Sequence, residues 1–322
     1  TITQFGNRIL AAAGKSTNIE LFTHRIKFGG NGPIMAHSLA NLGLGVNYIG
    51  ALGHPDIHEA FKELNPLCRL TTLDEPGHTQ AVEFSDGKIM FGRLAMTHLT
   101  WERLLEKTGQ EKLRSFFGNT PLLGMVNWTQ TPFMEEIWNH LLTDFLKTTP
   151  FPQGKPYLFI DLADPQKRNR KDILAMLAQL REFEQYYRVI LGLNEKESCE
   201  IINVLNGPGE ATNMESMQKR AEWIRKSWNL TCCVIHPVEY AVCSFENNTY
   251  SQKGPYLQNP IITTGAGDHF NAGFCFGLIT GCSPQESLIL GTANSGYYVR
   301  QAQSATSPQL AQFINEWHHN KH

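Results

Sequence analysis

The chain has 322 residues, 41% hydrophobic and 18% charged, with 28 Lys plus Arg against 30 Asp plus Glu. That length buries one large core or two smaller ones. The near balance of charge, with no long basic run, argues against nucleic acid as the main partner, and no apolar stretch reaches membrane-spanning length.

Near the start, "AAAGKST" (11–17) ends like a phosphate-binding loop. Such a loop needs a glycine five residues before Gly14, where Ile9 stands. The stretch instead reads as a helix end capped by Gly14. "IELFTHRIKFGG" (19–30) alternates like a strand. "GVNYIGALG" reads as a strand and "HPDIHEAFKEL" as a helix with Pro55 in its first turn. His54 and His58 lie four apart with no third ligand in view, so they read as surface helix residues. "TQAVEFSDGKIMFGRL" (79–94) is two alternating runs around Asp86-Gly87, a hairpin signal. It is expected to pair with 19–30 as a small separate sheet, a candidate lid.

The remainder repeats one rhythm of strand and then helix. "PLLGMVNW", "PYLFIDLAD", "RVILGLN" and "LTCCVIHP" are strand-like, and each stands next to a helical segment. This predicts an α/β fold with a mostly parallel sheet covered on both faces. The seven cysteines are odd in number and include no C-x-x-C pair, which suits buried free thiols in the cytoplasm. The closing "HHNKH" reads as a frayed tail.

"NPIITTGAGDHFNAGFCFGLITG" (259–281) carries the chemistry. Thr263 and Thr264 lead into Gly265-Ala266-Gly267, and Asp268 opens a small-residue helix. Two glycines allow a tight turn with outward N–H groups, and the helix adds its own unpaired N–H groups and dipole. Together they suit phosphate oxygens. The dipole is expected to favour ionised Asp268, a proton acceptor for phosphoryl transfer. A plain glycine turn with Asp as helix cap, and a dinucleotide loop, share this pattern; Phe270 at the sixth position weighs against the latter.

At these residues the chain resembles the ribokinase-like (PfkB) carbohydrate kinase family, whose C-terminal signature has the form D-T-x-G-A-G-D, with Ile262 in place of the leading Asp. "KFGGNGPIMAHSLANLG" is similar to the family's Gly-Gly signature, and Asn194 and Glu197 in "LGLNEKES" to its N-x-x-E motif. The resemblance implies a three-layer α/β/α core over 29–78 and 98–322, with a small β lid from 12–28 and 79–97. It implies ATP- and magnesium-dependent phosphorylation of a hydroxyl on a small sugar. Asp268 would be the base, Gly265, Ala266 and Gly267 the anion hole, and Thr264 a nucleotide contact. Asn194 and Glu197 would organise magnesium through its waters, unless they are only a capped helix start. Gly29, Gly30 and Asn31 would floor the sugar pocket, and Asn294 would sit near adenine, with a buried helix polar residue as the competing account.

"IDLADPQKR" is similar to the D-P-N-x-R variant of some members and puts Asp161 and Asp164 at a strand end; Arg168 meets phosphate or solvent. The family's opening strand and its sugar-gripping Asp have no counterpart in "TITQFGNRIL". Either a piece precedes this sequence or substrate is held differently. His236 and Pro237 stand where members usually carry a glycine-bearing nucleotide segment. A nucleoside acceptor and a non-catalytic relative remain the alternatives, and the exposed lid edges suggest a homodimer.

Overall fold

A computed structural model describes residues 1–93, 96–151, 153–209 and 211–319. The first helix, α1 (Ile2–Leu10), is closed by a Thr1–Gln4 capping box. Gly14 sits in the turn that follows it at φ 72°, so Gly-Lys-Ser closes a helix end and holds no phosphate loop. Residues 16–29 form no strand, contrary to the expectation for 19–30. Leu21, Phe22 and Ile26 remain 57%, 89% and 68% exposed. With neither face covered, nothing offsets the entropy of ordering a ladder there.

Helix α2 (Asn31–Asn41) leads to a parallel pair, β1 (Val46–Gly50) and β2 (Cys68–Thr72). The helix expected over 54–64 shrinks to a 3-10 turn at Glu59–Glu63, with His58 capping the Ala60 N–H and Pro55 outside it. Strands β3 (His78–Phe84) and β4 (Gly87–Arg93) form the expected hairpin as an isolated two-stranded sheet. Its tip rests on α1: the Phe5 and Phe84 rings lie 5.1 Å apart, and the Ile2 N–H donates to Asp86 Oδ1 at 2.9 Å. Leu94 and Ala95, in the expected lid range, and the last three residues of the tail lie outside the described residues.

The rest alternates as read. Helices α3 (Trp101–Thr108) and α4 (Gln110–Asn119) precede β5 (Leu122–Met125) and α5 (Met134–His140). Then come β6 (Tyr157–Asp161), α6 (Arg170–Phe183), β7 (Arg188–Leu193), α7 (Glu195–Leu205) and α8 (Met214–Trp228). Strands β8 (Cys232–Ile235), β9 (Tyr240–Phe245) and β10 (Asn248–Lys253) follow, and helices α9 (Ala266–Ile279), α10 (Pro284–Gln301) and α11 (Ser307–His319) end the chain.

The main sheet runs β10-β9-β8-β7-β6-β5, parallel from β5 to β8 and antiparallel at β9 and β10. Its central strands are apolar throughout because both faces are covered. Leu158, Ile160, Leu191 and Cys233 point to a cluster with Trp138, Met176, Ile201 and Ile224 of α5 to α8. Their neighbours Phe159, Ile190, Cys232 and Val234 point the other way, onto Met35, Phe270, Phe274 and Leu288 of α2, α9 and α10. That makes three layers, α/β/α. Each fully buried aliphatic contributes roughly 1.5–3 kcal/mol, against at most about 1 kcal/mol for an exposed ion pair, so packing fixes the layers. No helix among the described residues is long and apolar enough to cross a membrane.

Candidate active site

Strands β5 to β8 end on one edge of the sheet, where open parallel sheets bind ligands. The first turns of α2 and α9 meet there. Asp161, the last residue of β6, accepts from Asn31 Nδ2 at 3.0 Å and from Asn271 Nδ2 at 3.1 Å. Gly265 caps α9 at φ 95°, a left-handed backbone suited to glycine, and a Cβ there would stand 3.2 Å from Tyr298 Oη. At Gly267 a Cβ would stand 3.1 Å from His236 Cε1. The bend is half-buried and open. The N–H groups of Gly265, Gly267 and Asp268 have no partner among the described residues. The Ala266 N–H does, donating to Thr263 O at 3.1 Å. Ala266 therefore has no free amide for the expected anion hole, whereas the Asp268 N–H, like those of the two glycines, is without a partner among the described residues.

Asp268 is buried, and its carboxyl accepts no hydrogen bond from the described residues. Burial, then the charges of Asp161 and Glu197, push it well above the usual carboxylate range. This reverses the expectation that the helix dipole leaves it ionised, because desolvation and two like charges outweigh one helix end. Asp161 is pushed up to about 7, by burial first and then by Glu197, against the pull of its hydrogen bonds. Glu197 is raised too, chiefly by burial. Its oxygens are engaged: Oε1 accepts from the Asp164 N–H at 3.0 Å and Oε2 from the Asn194 N–H at 2.9 Å. Asn194 Oδ1 accepts from the Glu197 N–H at 2.9 Å, completing a capping box at the start of α7. The turn after β6 is strained, with Ala163 and Asp164 at φ 58° and 71°. Such residues cost roughly 1–3 kcal/mol each and cluster at functional sites.

The charges bearing on Asp268 are both negative, and Asn271 Oδ1 is buried with no donor. This donor set fits a divalent cation that keeps its waters, and it does not fit direct ligation by Glu197, whose oxygens already hold amides. A close grouping of acid and His ligand atoms, Glu102, Glu136 and His140, lies elsewhere, on α3 and α5.

Other expected residues fall as follows. Gly30 caps α2 at φ 90°, and Gly29 is exposed with open space where a Cβ would stand. Asn31 reaches the site through Asp161. Thr264 Oγ1 accepts from Lys88 Nζ of β4 at 3.1 Å. Asn294 does not face a cleft: it is fully buried, and its Nδ2 donates to Ser38 Oγ and His269 O, tying α10 to α2 and α9. Asp164 caps nothing with its side chain and pairs with Lys196 and Lys167. Arg168 is neither solvated nor free for phosphate, since it donates to the carbonyls of Trp128, Thr129 and Thr131. His236 packs behind the bend, its ring 4.8 Å from that of Phe270. Asn271, three residues after Asp268 and on the same helix face, was within reach of sequence reasoning. Lys88, His269 and Tyr298 carried no such signal. A cleft of about 170 Å³ opens at the start of β6 and the end of α9, at the other end of the sheet, and holds none of these groups.

A family described as prokaryotic ketohexokinase matches residues 1–317. The chain belongs to that family. The prokaryotic ketohexokinase assignment agrees with a ketohexokinase of Haloferax volcanii, 27% identical over 318 residues, covering 98% of this chain and 83% of the relative. Among solved structures, Thermotoga maritima ribokinase is similar with a TM-score of 0.68 at 19% identity, covering 93% of this chain and 91% of that one. Arabidopsis thaliana ribokinase, complexed with ribose and ATP, gives 0.69 at 16% identity, covering 94% and 91%. Those two likenesses carry the fold alone. With the family, they make this chain a carbohydrate kinase of ribokinase-like fold, as the Gly-Ala-Gly-Asp resemblance implied.

Proposed function

We propose that this prokaryotic ketohexokinase-family chain moves the γ-phosphoryl group of ATP to a hydroxyl of a ketohexose, with Asp268 as proton acceptor. The acceptor hydroxyl gives its proton to the Asp268 carboxylate while its oxygen forms the new bond to phosphorus. The bond between phosphorus and the ADP oxygen breaks, and the electron pair leaves with ADP. The open amides of Gly265, Gly267 and Asp268 hold the oxygens of the migrating group, where preorganised donors lower the barrier most. The observation that carries this reading is the pairing of three unpartnered N–H groups with one buried, unpartnered carboxyl on the same turn.

Asn194 and Glu197 would hold magnesium through its waters, beside the acidic cluster. When bound, the ion supplies positive charge to the phosphates. Asn31, whose amide donates to Asp161, would meet a sugar hydroxyl. Residues 12–28 and 79–97 act as a lid over the core of 29–78 and 98–322, and Lys88's contact with Thr264 supports that reading. Free cysteines at seven positions suit the cytoplasm. The test is phosphorylated product across a panel of ketohexoses, aldoses and nucleosides. Asp268→Asn should abolish turnover while still binding ATP. Parent-like turnover in that variant would sink the assignment of the base.

A further inference from the structure

Three amides with no partner among the described residues make a cradle only if the bend holds its shape, so what fixes the two carbonyls at its start matters. Those carbonyls belong to Thr264 and Gly265. Tyr298 Oη, from α10, donates to Thr264 O at 3.0 Å. His269 Nδ1 lies 2.7 Å from Gly265 O, which also accepts the His269 N–H at 3.1 Å. A carbonyl only accepts, so Nδ1 carries the proton and Nε2 is left to accept from Ser304 Oγ at 2.8 Å. The two rings stack on each other at 3.7 Å and 14°. His269 is 1% exposed and Tyr298 8%, so neither side chain trades these bonds for water. Burial also lowers the His269 pKa to about 4, which keeps the imidazole neutral in this tautomer at ordinary pH.

We infer that His269 and Tyr298 are positioning residues for phosphoryl transfer. As one stacked unit they pin the Thr264 and Gly265 carbonyls: the first shares its peptide with the Gly265 N–H, which is thereby aimed at the migrating phosphoryl group, and the second holds the peptide from which α9 continues to Gly267 and Asp268. A peptide unit cannot turn its carbonyl without swinging its N–H, since the group is planar. Anchoring the Thr264 and Gly265 carbonyls fixes the peptides on either side of Gly265. The residues touch no reacting atom in this role. Their effect is confined to geometry reached only at the transition state, so it falls on kcat more than on sugar KM.

This assignment rests on the reading of the bend as the anion cradle, and the experiment separates the two. Tyr298→Phe removes one hydroxyl and keeps the stack. His269→Asn keeps a donor near the Nδ1 position, and His269→Leu removes it. Steady-state kinetics with ATP and the best sugar, alongside melting temperatures, give the readout. Tyr298→Phe and His269→Leu should lose kcat roughly 10- to 100-fold, with sugar KM within about twofold. His269→Asn should recover part of the loss, and a double variant should lose less than the product of the singles. Should His269→Leu fail to fold, Tyr298→Phe carries the test alone. An inactive Asp268→Asn beside parent-like kcat in Tyr298→Phe overturns this inference and leaves the cradle standing. An active Asp268→Asn overturns the cradle itself.

Discussion

Asp268 has to lose a proton before it can take one, and its neighbours make that hard. Because its carboxyl is raised by burial and by Asp161 and Glu197, kcat/KM should climb with pH through a range above the ordinary carboxylate one. Asp161→Asn deletes one of the two neighbouring charges, so the climb should move to lower pH. The Asn271 amide can turn its orphaned oxygen toward the new NH2, which keeps that contact satisfied. Stability carries the matching sign. A carboxyl raised from 3.8 to about 7 contributes stability fully present below 3.8 and lost as pH rises to about 7. The ligand-free parent should therefore melt lower at pH 8 than at pH 5 from this contribution, and Asp161→Asn should narrow the gap. An unmoved pH profile and an unchanged melting gap in the variant would show that Asp161 does not bear on Asp268.

The hairpin is the element most exposed to test. A two-stranded ribbon is marginal by itself, and here α1 braces its tip while Lys88 reaches Thr264. Arg25 and Lys27 share that face, close enough that Arg25 and Lys88 help lower the Lys27 pKa after burial. Lys88→Met should lower kcat roughly 10-fold at low salt, and the deficit should shrink as salt screens the parent's own contact. Parent rates at every ionic strength would remove Lys88 from the reaction. The hairpin itself was legible from Asp86-Gly87 between alternating runs. The strand expected at 19–30 was not there, because alternation states which side chains share a face and says nothing about whether a partner strand lies alongside. The N-x-x-E motif read two ways in the sequence, as metal site and as helix start, and the capping box of Asn194 and Glu197 shows the second.

At the scale of the molecule, strand and helix periodicity gave the three layers, because each buried strand is apolar on both faces. What periodicity could not supply were pairings across long separations: Asp161 with Asn271 110 residues on, or Lys88 with Thr264 176 residues on. Asn294 misled for the same reason, since its partner Ser38 is 256 residues away and helix position alone does not tell a clamp from a cleft wall. Leu21, Phe22 and Ile26 of the 16–29 segment, and Met90 and Phe91 of the hairpin, are at least half exposed. We propose that these exposed apolar side chains pair two copies of the chain, visible as a doubled mass by light scattering at micromolar concentration and reduced to one chain's mass by Phe22→Ser with Phe91→Ser. A single-chain mass for the parent would rule it out.

Glu197 joins its own helix start to a stretch of chain 33 residues earlier, gripping the backbone of Asp164 with one oxygen and of Asn194 with the other. The acid that would attract an incoming ion is thus also the pin between two strand ends. Its nearest backbone partner is the left-handed Ala163-Asp164 turn. A change in the shape of that turn when magnesium and nucleotide are added would be the sign that the ion is felt at Glu197.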